Sequence, residues 1–196
     1  LYMAFVDGEP GAEVYSAATS REQANIIFGT AKTMVDYSPF MRQRFGIETA
    51  QYSIFQSSSN SVFKALSQDR GGTKDGLNVH MGVIDELHAH KDSSMYDIVA
   101  DGIAARDQPL VGAISTAGDD NLGVCYRERS TVENVLRGKA KHEQYFGMIF
   151  CLDRGDDWKD QKNWPKANPN YGISVTTNYL EAKFKKVLIS PSSEAF

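Results

Sequence analysis

Two cysteines and six prolines occur in 196 residues, and no stretch offers the roughly 18 consecutive apolar residues of a membrane-spanning helix. Cys125 and Cys151 lie far apart and outside any C-x-x-C pattern, which excludes a disulfide scaffold and fits a reducing compartment. The first residues, Leu1 to Val6, are apolar but lack a basic flank and a cleavage site, so they do not read as a leader. They read as the tail of an element whose beginning lies outside the chain. Strong positive charge is also missing. The formal net charge is −4, whereas a module that mainly grips nucleic acid is usually basic. The basic groups Arg127, Arg129, Arg137, Lys139 and Lys141, and then Lys183, Lys185 and Lys186, are read as solvated helix faces.

What remains is an ordinary globular composition, 41% hydrophobic and 23% charged, in a chain long enough to bury a core without metal or disulfide. After the turn Gly8-Glu9-Pro10-Gly11, the run Ala12 to Ala18 suits a buried strand. Ser20 with Gln23 three residues later predicts a helix start by a capping box. Ala24, Ile27, Ala31 and Met34 then recur at helical spacing up to Pro39. Gln51 to Gln56 and Ser61 to Leu66 flank Ser57-Ser58-Ser59-Asn60 as a hairpin. A glycine-rich loop, Arg70 to Gly76, precedes a strand from Val79 to Ile84. A helix from Met95 to Arg106, a buried strand from Leu110 to Ile114, a helix from Leu122 to Leu136 and an apolar strand from Tyr145 to Leu152 follow. Beyond Asp153 the pattern turns irregular around Trp158 and Trp164, which are expected to pack against the sheet. A last helix starts near Asn178, with Glu181 at the reciprocal capping position. Strands alternating with amphipathic helices imply an α/β fold with a mostly parallel sheet.

His80-Met81-Gly82-Val83-Ile84-Asp85-Glu86 carries the chemistry. Ligands of open parallel sheets bind at the carboxyl ends of the strands, where Asp85 and Glu86 emerge. A hard carboxylate such as Asp85 suits Mg²⁺ accompanying a nucleotide, and Glu86 could orient and deprotonate a water attacking a γ-phosphate. The pattern is that of a Walker B strand with a catalytic glutamate, although an acidic pair closing a strand is equally compatible with the tetrapeptide. One crossover later the next strand ends in Ser115-Thr116-Ala117-Gly118. Small hydroxyls there can sense a phosphate, or form a simple turn.

Three blocks in order, Gly11 to Ala24 (GAEVYSAATSREQA), Ala65 to Asp92 with Gln108 to Gly118 (VHMGVIDELHAH and QPLVGAISTAG within them), and Asn168 to Val187, resemble the large terminase subunits of tailed bacteriophages. The resemblance implies a RecA-like P-loop NTPase-type sheet with flanking helices, truncated at its N-terminal side. It divides the chain into a partial ATPase core, 1–152, and a lid or linker, 153–196, leading toward a nuclease domain outside the chain. It implies ATP with Mg²⁺ in the parent protein, Asp85 at the metal, Glu86 as catalytic glutamate, and Ser115, Thr116 and Ala117 as coupling motif. Arg70 is the candidate arginine finger acting on a neighbouring subunit. Implied partners are double-stranded viral DNA, the portal protein, the small terminase subunit and further copies in a ring, all in the cytoplasm of a bacterial host.

One departure is plain. No G-x-x-x-x-G-K-[ST] occurs, and Gly72-Thr73-Lys74 lacks both the spacing and the hydroxyl residue. The chain alone is therefore expected to bind ATP weakly and not to hydrolyse it. Two other readings stay open at this point. A metal-dependent hydrolase would use Asp85, Glu86, His88 and His90, although both histidines are read as surface residues. A non-enzymatic assembly module would use the tryptophan- and proline-rich tail.

Overall fold

The computed structural model describes residues 1–67 and 76–189. The glycine-rich loop expected over Arg70 to Gly76, and Arg70 itself, thus lie outside the described residues except for Gly76. The chain divides into two compact units, Leu1–Ser130 and Thr131–Phe196; the change of character expected at Asp153 falls inside the second. No helix among the described residues is long and apolar enough to cross a membrane.

The first unit is an α/β sheet with flanking helices. Its elements are α1 (Tyr2–Phe5), β1 (Glu13–Ala18), α2 (Arg21–Asp36), α3 (Pro39–Phe45), β2 (Ile47–Thr49), β3 (Ile54–Gln56), β4 (Ser61–Ser67), β5 (Val79–Asp85), α4 (Ser94–Asp101), β6 (Leu110–Ile114) and α5, which begins at Val124. The sheet runs β2-β3-β4-β1-β5-β6. β4, β1, β5 and β6 are parallel neighbours, while β2, β3 and β4 form an antiparallel meander. β1 is central and buried on both faces from Val14 to Ala18, as expected of a parallel strand covered on either side.

Each face carries its own core. Val14 and Phe63 meet Phe28, Ala31 and Val35 of α2 on one side, while Tyr15, Ala17 and Ile84 meet Met95 and Val99 of α4 on the other. The Phe28 and Phe63 rings stand edge to face at 5.8 Å, a geometry that adds about 1 kcal/mol beyond burial. The α2 start is as expected: the Ser20 hydroxyl accepts from the Gln23 amide at 3.2 Å. Its buried stripe differs, however. Phe28 and Val35 replace Met34, which is exposed, because the helix settles on the sheet by its bulkier face. Gly82 permits α4 to approach β5, since a Cβ there would stand 2.2 Å from Val99 Cγ1.

Four further expectations need correcting. The short strand β2 joins the Ile54–Ser67 hairpin as a third member, and it was too brief for a period-2 pattern to reveal. α4 ends at Asp101, so Ile103 and Arg106 lie in the turn beyond it. β6 forms as expected but is not buried. It is the sheet edge, with Leu110 and Ile114 exposed. No strand forms over described residues 145–152, where Phe146, Met148 and Phe150 face solvent. A continuous apolar run proposes a strand, but only a ladder partner makes one.

The second unit, described by itself, holds α6 (Trp164–Ala167) and α7 (Thr177–Ile189). Within this unit both tryptophans share a ring partner, Phe184 of α7, 5.7 Å from Trp158 and 5.6 Å from Trp164. Trp164 Nε1 donates to the Trp158 carbonyl at 2.9 Å, which satisfies the indole that burial would otherwise strand. Lys166 bridges Asp153 and Asp156 at 2.7 and 2.8 Å. The α7 start is capped by the Thr176 hydroxyl, which accepts from the Tyr179 amide at 3.3 Å, two residues earlier than a cap centred on Asn178.

Candidate functional site

The site grows from how the chain leaves β5. Ile84 is fully buried and anchors the strand end. Asp85 follows, still in parallel register with Ile114 of β6. Its Oδ1 accepts the Glu86 amide at 3.0 Å, fixing the carboxylate over its own turn. Glu86 then adopts a left-handed backbone, φ 50° and ψ 52°. For a residue with a Cβ this conformation costs about 1–2 kcal/mol, and such strain concentrates at functional sites. A single 3₁₀ turn, Leu87–Ala89, closes the reversal, with the Ala89 amide donating to the Glu86 carbonyl at 2.8 Å. Buried Leu87 plugs it into the core beneath.

The two histidines separate here. His90 is buried, not a surface residue, and its Nε2 sits 3.3 Å from the Asp85 backbone oxygen, bracing the turn from below. His88 stays partly open and faces the tip of β6. Its amide donates to Ser115 Oγ at 3.0 Å, and its Nδ1 lies 3.1 Å from the same oxygen and 3.4 Å from Thr116 Oγ1. The same Nδ1 is 3.2 Å from Glu86 Oε2, but off the line of a hydrogen bond, so that oxygen is shielded from solvent without a hydrogen-bond partner.

The structure therefore brings Asp85, Glu86, Ser115 and Thr116 to one end of the sheet. Ala117 follows on the same exposed segment. Ser115 Oγ also accepts a thiol contact from Cys125 at 3.4 Å and donates to the Thr116 carbonyl at 2.9 Å. Nothing in the one-dimensional pattern announced the Cys125 contact, because it depends on where α5 starts. Gly118 completes the packing: a Cβ there would stand 2.8 Å from His88 Cβ. No group of three His, Cys, Asp or Glu side chains that could hold a metal occurs among the described residues. The hydrolase reading that joined Asp85, Glu86, His88 and His90 on one ion thus has no geometric support. A carboxylate pair with neighbouring hydroxyls suits a cation that arrives on a phosphate ligand.

Farther along, Tyr96 Oη donates to Glu128 at 3.0 Å. Burial first, and then the Glu128 charge, pushes this phenol up to about 12, so it stays a neutral donor that pins α4 to α5. At the opposite end of the sheet, Arg106, its side chain largely covered, spreads its guanidinium over Glu9, Pro10, Gly11 and Asn78. Sequence reading assigned Arg106 only to a helix end.

The family model described as "Terminase large subunit, ATPase domain" matches residues 1–134. "Protein YmfN" of Escherichia coli (strain K12) is 42% identical over 135 residues, which is 69% of this chain and 29% of that protein. The "Terminase, large subunit" of Enterobacteria phage HK97 is 25% identical over 186 residues, 93% of this chain and 35% of that one. The chain therefore spans about a third of the length of these curated relatives. The crystal structure of the HK97 bacteriophage large terminase superposes with a TM-score of 0.81 at 21% identity, covering 98% of this chain and 40% of that one. A large terminase ATPase domain from Thermus phage P74-26, solved as a mutant, gives 0.57 at 16% identity over 98% of this chain and 76% of that one. These likenesses show the shared fold, and with the match over residues 1–134 they place the chain in the terminase large subunit ATPase domain family.

Proposed function

We propose that this chain is the ATP-handling part of a terminase large subunit that drives double-stranded viral DNA into a procapsid. The observation that carries the reading is the pairing of two strand tips. Asp85 and Ile114 are in register, so Asp85-Glu86 and Ser115-Thr116 stand side by side where open parallel sheets take their ligands. In this reading Asp85 holds Mg²⁺, which supplies charge neutralisation on the nucleotide phosphates. Glu86, whose side chain is partly open to solvent, accepts the proton of the attacking water. Ser115, Thr116 and Ala117 sense the γ-phosphate and its loss. Arg70, outside the described residues, remains the candidate finger for a neighbouring subunit's site.

The proposed partners are the portal protein, the small terminase subunit and further copies in a ring, within the cytoplasm of a host bacterium that carries the phage or prophage. The chain contains no G-x-x-x-x-G-K-[ST], so by itself it lacks the backbone cradle and lysine that hold the phosphates. Alone, it neither binds ATP tightly nor turns it over.

Two measurements test this. In a full-length subunit containing this chain, Glu86→Gln should lower the steady-state ATPase kcat at least 100-fold while ATP binding persists. Unchanged kcat would remove Glu86 from catalysis. In the 196-residue chain alone, Mg·ATP turnover that disappears with the same substitution would overturn the expected inactivity.

A further inference from the structure

The proton inventory around Ser115 has a consequence for Glu86. Ser115 Oγ has one hydrogen, and it is given to the Thr116 carbonyl at 2.9 Å. The oxygen already accepts from the His88 amide at 3.0 Å and faces the Cys125 thiol at 3.4 Å. In the Nδ1-protonated tautomer His88, 3.1 Å from that oxygen, donates to it, competing with the Cys125 thiol for the second lone pair. Around that nitrogen stand Ser115 Oγ, Thr116 Oγ1 at 3.4 Å and Glu86 Oε2 at 3.2 Å, the last off the line of its hydrogen as the side chains lie here. The hydrogen can bond well to one of these at a time.

We propose that His88 is a positioning residue that ties the Glu86 carboxylate to the Ser115-Thr116 tip of β6. This rests on the catalytic reading of Glu86 given above. In the geometry seen here the Nδ1 hydrogen serves Ser115, and Glu86 Oε2 is left without a hydrogen-bond partner. When Ser115 and Thr116 turn toward a phosphate, the same hydrogen is released to Glu86 and sets the carboxylate's orientation. The arrangement is held by independent features. The left-handed backbone of Glu86 folds its side chain back toward His88. The His90 contact with the Asp85 carbonyl steadies the turn. The missing Cβ at Gly118 leaves room for the His88 ring stem, which a larger residue would displace. His88 touches neither nucleotide nor water in this scheme. It acts through Glu86.

The test uses the full-length subunit and its ATPase, with thermal melts to confirm folding of each variant. His88→Ala should reduce kcat about 10- to 100-fold with KM for ATP unchanged, the signature of a misplaced catalytic group. His88→Gln, whose amide can donate from a similar place, should recover a large part of kcat, and Ser115→Ala added to His88→Ala should cost much less than it does alone. A long-range ¹H–¹⁵N spectrum of the imidazoles should show His88 protonated at Nδ1, with that resonance moved by Glu86→Gln and by Ser115→Ala. Wild-type kcat in His88→Ala, or an Nε2-protonated ring indifferent to both substitutions, overturns the proposal. The Glu86→Gln control separates the two failures. If Glu86→Gln is itself silent, the catalytic reading falls and His88 falls with it; if Glu86→Gln abolishes turnover while His88→Ala does not, only the His88 proposal is lost.

Discussion

At the N-terminal ends of β1 and β5, Arg106 donates to Glu9, to the carbonyls of Pro10 and Gly11, and twice to Asn78, all within 2.6–3.2 Å. Its side chain is 5% exposed and every contact is complementary. At the carboxyl ends of β5 and β6 the polar groups are as dense but incompletely matched. Glu86 sits in a left-handed conformation, its Oε2 lacks a hydrogen-bond partner, and one imidazole nitrogen lies within 3.4 Å of three side-chain oxygens. One end spends its polar groups on holding the sheet together. The other keeps them in tension, which is what a site awaiting a ligand requires.

The strongest way to break the comparison is at the satisfied end. Arg106→Met removes a charge and leaves Glu9 and three carbonyls without their donor in a confined space. Loss of one partner of a buried, hydrogen-bonded ion pair costs about 3 kcal/mol or more. Urea unfolding of the chain should register this, and Arg106→Lys should recover only a minor part, since an ammonium cannot fork across separate carbonyls. A loss under about 1 kcal/mol would mean that the clamp is decoration.

At the other end the sign reverses. Glu86→Gly relieves a left-handed conformation worth about 1–2 kcal/mol in a residue with a Cβ. Glycine's freedom in the unfolded chain returns about 0.5–1 kcal/mol of that. The expected result is a chain about 0.5 kcal/mol more stable by the same measurement, and with no catalytic carboxylate. Destabilisation by Glu86→Gly would show that the strand tip is relaxed and that its carboxylate contributes to folding.

The contrast also explains what the sequence made legible. Asp85 and Glu86 are local: an apolar run ending in two acids shows where a strand stops and what it presents. Ser20's cap, the hairpin around Asn60 and the neighbouring tip at Ser115 are local as well, and each formed. The Arg106 clamp joins residues 95 to 97 positions apart, and His88 reaches Ser115 across 27. No periodicity encodes such pairings, because they depend on strand order. The stretch Tyr145 to Leu152 failed in the converse way. Its continuous apolar run is real, but a strand also needs a neighbour, and the pattern says nothing about whether one is present.

A third change sharpens the claim that matched polar groups matter at the N-terminal side only when they are buried. Thr49 aligns through Ile54 and Phe63 with Val14, near the start of β1. Its hydroxyl donates to Asp36 Oδ1 at 2.6 Å, and Lys32 holds Oδ2 at 2.8 Å. The Lys32 hydrogen bond, and then that of Thr49, lower the Asp36 carboxyl below its ordinary value. A lowered carboxyl contributes stability that is present above the unfolded-state value and disappears as pH falls through the folded one. Asp36→Asn should therefore melt slightly below the wild-type chain at pH 7, with a gap far smaller than that of Arg106→Met, because the pair is open to solvent. The gap should close as pH drops below about 4. A Tm difference that stays constant from pH 7 to pH 3 would assign the effect to packing around Thr49, leaving burial of the donor as what separates Arg106 from Lys32.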